Sequence, residues 1–387
     1  MSQKTQTLGV YVHWPFCVSK CPYCDFNSHV ANSVDINKWQ QAFQKEIEFS
    51  ALQSPDHTVH TIFFGGGTPS LMPSGLVADV VHSVKKNWKT SENLEVTLEA
   101  NPTSVEANKF AEFKAAGVNR LSIGIQAFND QDLNFLGRPH NISEGIKAIE
   151  CAQKYFDRYS FDLIYARPNQ TVASWTEELE TALKYAAKHI SLYQLTIEKG
   201  TQFYTAYNRG DFFLPTDVVS AELYNVTAEI LCKKGLMQYE ISNYAIPGEE
   251  SHHNLIYWNY DDYVGVGPGA HGRITLNGQK CATRRHRAPD IWLDKVLKTG
   301  NGQVELAILS PQDQLVETLM MGLRLNKGLS FQKLDALCGE SFSDLFAKQL
   351  TPLYREGLIN KVNNLLQATD EGRIRLNSLL DFLINTS

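Results

Sequence analysis

Three cysteines crowd into eight residues as Cys17-Val-Ser-Lys-Cys21-Pro-Tyr-Cys24. Three thiolates on one short loop can each bind one iron of a cubane, leaving the fourth iron without a protein ligand. An iron with an open position can take a substrate, which a cluster that only passes electrons does not need. The alternative is a structural zinc loop, with His13 or His29 as fourth ligand, although zinc sites usually show paired Cys-x-x-Cys spacing. A second feature is Phe64-Gly65-Gly66-Gly67-Thr68-Pro69-Ser70. Glycines admit positive φ and close backbone approach to a ligand, with exposed N–H and C=O groups for hydrogen bonds; a plain tight turn uses the same residues. Glu99, in Leu98-Glu-Ala-Asn-Pro102, suits ribose hydroxyls because a carboxylate accepts two hydrogen bonds, or else is a surface acid at a strand end.

These residues follow short apolar runs at Gly9–Trp14, Thr61–Phe64, Glu95–Glu99, Arg120–Gln126, Phe161–Tyr165 and Ser191–Ile197, each read as a strand. Helical spacing lies between them, with Ile36, Trp39, Phe43 and Ile47 on one face. Thr103 with Glu106, and Ser174 with Glu177, have capping-box spacing, and Gly117 suits a helix C-cap. Six alternating strand and helix units predict an α/β fold around a parallel sheet, whose ligands sit beyond the C-terminal strand ends. The cysteine loop, the glycine loop, Glu99 and Gln126 follow four successive strands, so the topology brings them to one face. From about Val304 the pattern changes. Pro311–Leu323, Ser330–Cys338 and Ser343–Glu356 read as helices, and Leu358–Ala368 as a hairpin before a last helix, a winged-helix-like α+β order. Eight Lys/Arg against ten Asp/Glu from Val304 onward give net −2, which does not favour DNA. Packing or partner docking is the expected role of this module, and the division is placed at 1–300 and 301–387.

With 43% hydrophobic and 20% charged residues over 387 positions, the chain reads as globular rather than disordered. A net charge of −6 gives no general attraction to nucleic acid or anionic membranes. Arg284, Arg285 and Arg287 beside His286 are the candidate basic patch, with a solvated loop as the plainer reading. Met1 to Leu8 is polar and lacks a signal-peptide core, and no apolar stretch is long enough to span a bilayer. A cytoplasmic or similarly reducing location follows, in keeping with seven cysteines, an odd number. Cys151, Cys232, Cys281 and Cys338 are expected to be buried structural residues.

The cysteine spacing resembles that of the radical S-adenosylmethionine superfamily. The resemblance implies a partial (β/α)6 barrel, a [4Fe–4S] cluster on Cys17, Cys21 and Cys24, and S-adenosylmethionine chelated to the open iron. It also implies one-electron cleavage of the sulfonium to methionine and a 5′-deoxyadenosyl radical. A resemblance to the HemN-like branch, the coproporphyrinogen dehydrogenases and their relatives, covers almost the whole chain. It rests on Tyr11-Val-His-Trp-Pro-Phe-Cys17, the glycine loop, Leu121-Ser-Ile-Gly-Ile-Gln126-Ala-Phe-Asn129, Leu136-Gly-Arg138 and Asp162-Leu-Ile-Tyr165. By position it implies that Tyr11, Gly66 and Glu99 touch a first S-adenosylmethionine. Tyr23, Gly67, Thr68, Gln126, Arg138 and Asp162 match the surroundings of a second. Ala166-Arg-Pro-Asn-Gln170 departs from the usual Gly-Leu-Pro-Gly-Gln.

Where the dehydrogenases carry a fourth cysteine, two residues past the third, this chain has Phe26, and it lacks their extension before the cluster. Ser251-His-His-Asn-Leu-Ile-Tyr-Trp258 instead resembles the HNxxYW signature of the family's heme chaperone branch. A neutral imidazole can ligate iron and flanking aromatics can pack on a macrocycle; a hydrogen-bonded loop histidine is the alternative for His253. The resemblance implies heme as cargo and heme-accepting proteins as partners, respiratory ones among the candidates. Peripheral membrane association and a homodimer are compatible with it. Glu317 to Arg324 resembles the opening helix of the accessory domain, Met320 and Met321 being expected to fill its core. Arg355-Glu-Gly-Leu358 reads as a helix end leading into a wing strand.

Overall fold

The computed structural model describes residues 6–31 and 33–385. Of the polar stretch Met1 to Leu8, the first five residues lie outside the described residues, and Gln6 opens the first strand. All six apolar runs are strands: β1 (Gln6–Trp14), β2 (His57–Gly66), β3 (Lys89–Ala100), β4 (Arg120–Gln126), β5 (Arg158–Tyr165) and β6 (His189–Gln194). They lie in chain order, each parallel to the next. Such pairing requires a crossover after each strand, which the intervening helices supply.

Further strands, not apparent in the sequence, extend both margins. β7 (Met237–Glu240) and β8 (Asn243–Ala245) add antiparallel beyond β6. β9 (Asp262–Val266) joins the free side of β1 in parallel, so seven strands run in one direction. Next come β10 (His271–Leu276), β11 (Gln279–Arg285) and β12 (Gln303–Ile308), all antiparallel. The 12-stranded sheet has the order β12-β11-β10-β9-β1-β2-β3-β4-β5-β6-β8-β7, with β12 and β7 at its margins, so the barrel is partial and open.

Along β1, Leu8, Val10, Val12 and Trp14 are buried, and Trp14 meets Trp39 of the helix Ile36–Gln53 at 5.1 Å between ring centroids. The intervening residues Tyr11 and His13 face the lumen side, as strand alternation requires. Phe43 and Ile47 share the helix face with Trp39, but so does Glu46, which is fully buried. Glu46 meets Arg285, itself 2% exposed, so Arg285 is a strand residue in a buried ion pair rather than part of a patch or loop. Arg284 pairs with Glu305, and Arg287 donates to Asn27.

Thr103 caps the helix Ser104–Ala107 by accepting the Glu106 N–H, and Gly117, φ +100°, ends the helix Phe110–Ala115. Ser174 is not a helix cap: Thr171 takes that place, Ser174 closes its capping box, and the helix Val172–Ala182 begins earlier. Thr171 wins because its backbone is already extended, as an N-cap requires.

After β12, which still belongs to the large sheet, a second core forms around Leu315, Leu319, Phe331, Leu334, Phe342 and Leu366. Here β13 (Leu329–Ser330), β14 (Ile359–Val362) and β15 (Leu365–Ala368) make a three-stranded antiparallel sheet. The segment read as one helix from Ser343 is two, Phe342–Leu345 and Ala347–Arg355, which meet at Phe346. Met320 is 46% exposed, because Leu315, Thr318, Leu319 and Gly322 form the buried stripe of their helix. The expectation of core filling therefore fails for Met320, and that of burial fails for Cys232, which is exposed.

Candidate functional site

The cysteine loop leaves β1 and returns to it. Phe16–Cys17 pairs with His29–Val30, and the His29 N–H donates to Pro15 O at 2.7 Å. The glycine loop at the end of β2 is fastened to it, Gly67 N donating to Trp14 O (2.7 Å) and Thr68 N to Phe16 O (2.9 Å). Only glycine fits at Gly67, where a Cβ would stand 2.7 Å from Phe16 O.

A chain of polar contacts then links two of the thiols. Thr68 Oγ1 donates to Cys17 Sγ at 3.4 Å, and Asn101 Nδ2 donates to Thr68 Oγ1 at 3.2 Å. Arg138 Nη2 donates to Asn101 Oδ1 (2.6 Å) and to Gly124 O (2.9 Å), while its Nη1 reaches Cys21 Sγ at 3.3 Å. Cys24 Sγ lies 3.9 Å from Ser28 Oγ. As free thiols Cys17 and Cys24 are pushed up by burial, so donors aimed at the sulfurs suit thiolates that need compensation. Three thiols on one loop, two of them met by hydrogen-bond donors, fit a cubane, whose thiolates each bind a separate iron.

Tyr11, Gly66 and Glu99 meet as expected, on one wall of a cavity of about 380 Å³. Tyr11 OH donates to His13 Nδ1 (3.0 Å), leaving His13 Nε2 to donate to Asn27 O (3.0 Å). Gly66 has φ +114°, and a Cβ there would fall 2.5 Å from the His13 ring. A nucleoside fits this wall chemically, with a carboxylate for hydroxyls beside bare backbone. Burial, with Asp162 nearby, pushes the Glu99 carboxyl up to about 8, against the opposing Gly66 N–H and Arg120. The folded chain therefore holds the Glu99 proton between about pH 4.5 and 8, where the unfolded chain releases it. Glu99→Gln should gain stability relative to the parent as pH rises from 5 to 8. Because Glu99 borders an open cavity, we expect about 2 kcal/mol rather than the full linkage value. Denaturant midpoints of both apoproteins across this range check it; parallel curves would contradict it.

Of the second expected group, Tyr23, Thr68 and Arg138 gather at the cysteine loop, and Gln126, with φ +74°, lies beside Arg138 over Gly124. Asp162 lies within electrostatic reach of Arg138 and of Glu99; its Oδ1 has no hydrogen-bond partner among the described residues, and its carboxyl is raised by burial to about 6. The departure at Ala166 to Gln170 keeps the loop shape that two glycines would give: Ala166 has φ +57° and Asn169 φ +62°. Arg167, in the usual leucine position, is buried in ion pairs with Glu178 and with Asp132, the latter at 3.1 Å. Asn tolerates a left-handed backbone, so Asn169→Val should cost about 1–2 kcal/mol in denaturant titration, and no change would rule out this conformation.

His253 lies on the short helix His252–Trp258, not on a loop, and is 1% exposed. Its Nδ1 bonds Thr61 Oγ1 (2.7 Å), its Nε2 bonds Tyr257 OH (2.9 Å), and its ring stacks on Phe63 at 4.9 Å. Burial holds it down to about 3, so it is neutral with both nitrogens committed. Glu95 accepts the N–H groups of His252 and His253, fixing the helix start. The far end is a socket for the C-terminal module. Arg324 covers the Trp258 ring at 4.5 Å and pairs with Glu240, and Glu317 joins Tyr260 and Arg273. In this geometry His253 braces the helix against β2, through Thr61 of the strand and Tyr257 of the helix.

Residues that the motifs did not single out complete the site. Asn101, two after Glu99, had a signal in its strand-end position. Asn27 had none: its Nδ2 donates to Pro268 O (3.1 Å) and Arg287 O (3.0 Å), tying the cysteine loop to the turn after β9.

Residues 11–182 match the Radical SAM superfamily, and residues 309–375 match the HemN C-terminal domain. The Escherichia coli (strain K12) protein named heme chaperone HemW is 33% identical over 387 residues, covering 98% of this chain and 99% of its own. A Danio rerio protein named radical S-adenosyl methionine domain-containing protein 1, mitochondrial, is 37% identical over 384 residues, covering 97% of this chain and 86% of its own. The structure of coproporphyrinogen III oxidase (HemN) from Escherichia coli, a radical SAM enzyme, superposes with a TM-score of 0.82 at 21% identity. It covers 99% of this chain and 91% of that one, a likeness of fold.

Proposed function

The chain belongs to the radical SAM superfamily, within the family of the heme chaperone HemW, and from this premise we propose that it holds a [4Fe–4S] cluster and S-adenosylmethionine and carries heme to hemoprotein targets. Cys17, Cys21 and Cys24 would hold the cluster, with Thr68 and Arg138 donating to the sulfurs of Cys17 and Cys21. When bound, the cluster supplies one electron to a sulfonium. Tyr11, Gly66 and Glu99 bind and orient the nucleoside, Glu99 accepting from its hydroxyls once it gives up its proton. Tyr23, Gly67, Thr68, Gln126, Arg138 and Asp162 are proposed to surround a second S-adenosylmethionine.

One observation carries this reading: the cysteine loop and the glycine loop are hydrogen-bonded into a single unit beside the cavity lined by Glu99. Heme as cargo is supported by the relatives named heme chaperone that align over nearly all of the chain. No helix among the described residues is long and apolar enough to cross a membrane. We take delivery to occur in a reducing compartment.

The test is anaerobic reconstitution followed by heme titration and, separately, incubation with reductant, S-adenosylmethionine and coproporphyrinogen. Stoichiometric heme binding without decarboxylation is expected, followed by transfer of heme to an apo-hemoprotein. Decarboxylation of the porphyrinogen would replace the chaperone reading with that of a dehydrogenase, against which Phe26, in place of a fourth cysteine, already counts.

A further inference from the structure

Phe26 is the motif position that the proposed function leaves unused, standing where the dehydrogenases carry a fourth cysteine. Its backbone is committed on both sides. The N–H faces the Cys24 sulfur and opposes the rise that burial causes there, while the C=O accepts from Ser28 N at 2.7 Å. The next residue is anchored as well, Asn27 O accepting from His13 Nε2 at 3.0 Å and Asn27 Nδ2 gripping Pro268 O and Arg287 O. The Phe26 ring, by contrast, is 59% exposed and meets no aromatic partner among the described residues. A single apolar residue on an open surface needs no explanation. This one borders the cavity that Tyr11 and Glu99 line, so a firmly held backbone presents an uncovered ring at its opening.

Strand register gives the cavity its length. Tyr263 pairs with Gly9 and Tyr11 with Gly265, so the lining climbs β1 from the level of Gly9 through Tyr11 to His13. At ~3.3 Å per residue this is roughly 13 Å, and the cysteine loop with Phe26 continues beyond it. At the end toward the start of β1, Tyr257 and Tyr263 meet edge to face at 4.6 Å. Tyr257 comes from the helix His252–Trp258, which carries the signature of the heme chaperone branch. Phe26 is the aromatic residue at the other end. A cavity of about 380 Å³ is at the small end of what small-molecule ligands occupy, so a tetrapyrrole held at the signature helix must project out of it.

We propose that Phe26 is a heme-binding residue, its ring packing on the macrocycle where heme projects from the cavity while the signature helix holds the part within. This rests on the heme-chaperone reading and leaves the Glu99 wall to the nucleoside. A flat apolar macrocycle gains from an aromatic face, which a fourth thiol would not offer.

The reconstituted full-length protein and its Phe26→Ala, Phe26→Leu and Phe26→Trp variants are titrated with ferric heme, followed by absorption and by circular dichroism in the Soret band. A separate titration uses S-adenosylmethionine. Alanine should weaken heme binding about tenfold and diminish the Soret dichroism, while the absorption spectrum of bound heme, and so its axial ligation, stays that of the parent. Tryptophan should bring the affinity back to within about threefold of the parent, and leucine should fall between alanine and the parent. Iron content and S-adenosylmethionine affinity should not change, because the ring is exposed and the backbone bonds remain. Parental heme affinity in both Phe26→Ala and Phe26→Leu overturns the proposal. So does an equal loss of S-adenosylmethionine affinity, which would assign the ring to the nucleoside. Should alanine lose iron, Phe26→Leu, which keeps the bulk, decides the question. Failure of the parent itself to bind heme overturns instead the chaperone reading on which the proposal rests.

Discussion

Serine at Cys17, Cys21 and Cys24 together should abolish iron uptake while leaving the chain folded. After anaerobic reconstitution the parent should hold about four irons, and the triple variant essentially none, because serine offers a hard, protonated hydroxyl where the cubane needs thiolates. Folding should survive because all three cysteines are only half-buried. The loop is held without them, by Gly67 N on Trp14 O, His29 N on Pro15 O and Asn27 on Pro268 O. Arg138→Ala should give a graded version of this result. It removes one donor to Cys21 and unties Asn101 from Gly124, so the cluster should form but be lost faster to a chelator. Undiminished iron in the triple serine variant would remove the basis of the proposed function.

Much of this site could be read from the sequence because its signals are local. The cysteine spacing, the glycine run and the six apolar runs each lie within a few residues, and parallel topology alone brings strand ends together. What was hidden depends on contacts made across long stretches of chain. β9 is five residues with a glycine in it, Asp262-Tyr-Val-Gly-Val266, and becomes a strand because the free side of β1 is waiting for it. Left-handed Ala166 gave no sign in residue type, and Asn169 only a weak one, since Asn tolerates positive φ without requiring it. His253 illustrates the converse. Its motif pointed to chemistry, but Thr61, 192 residues earlier, takes one ring nitrogen and Tyr257 the other.

Glu46 is the other residue whose importance only the fold discloses, and Glu46→Ala should destabilise the chain by about 3–5 kcal/mol. The carboxylate is completely buried, which pushes it up, and Arg285, the Gly267 and Gly302 N–H groups and Trp292 Nε1 oppose that shift. The three N–H donors lie at 2.7, 2.7 and 3.0 Å. Alanine would leave Arg285, 2% exposed, with an uncompensated charge and would strand all three N–H donors. The damage should not stay in the core. Gly267 presses on the His13 backbone, where a Cβ would lie 2.4 Å from His13 O, and the turn it opens is gripped by Asn27 of the cysteine loop. Loosening that turn frees Asn27 and with it the cysteine loop, so a reconstituted cluster should be lost faster to a chelator in the variant that remains folded. Denaturant titration combined with chelator-challenged iron release checks both halves. A loss below 1 kcal/mol would mean that water reaches Arg285 and that this ion pair is not the anchor of the cavity wall.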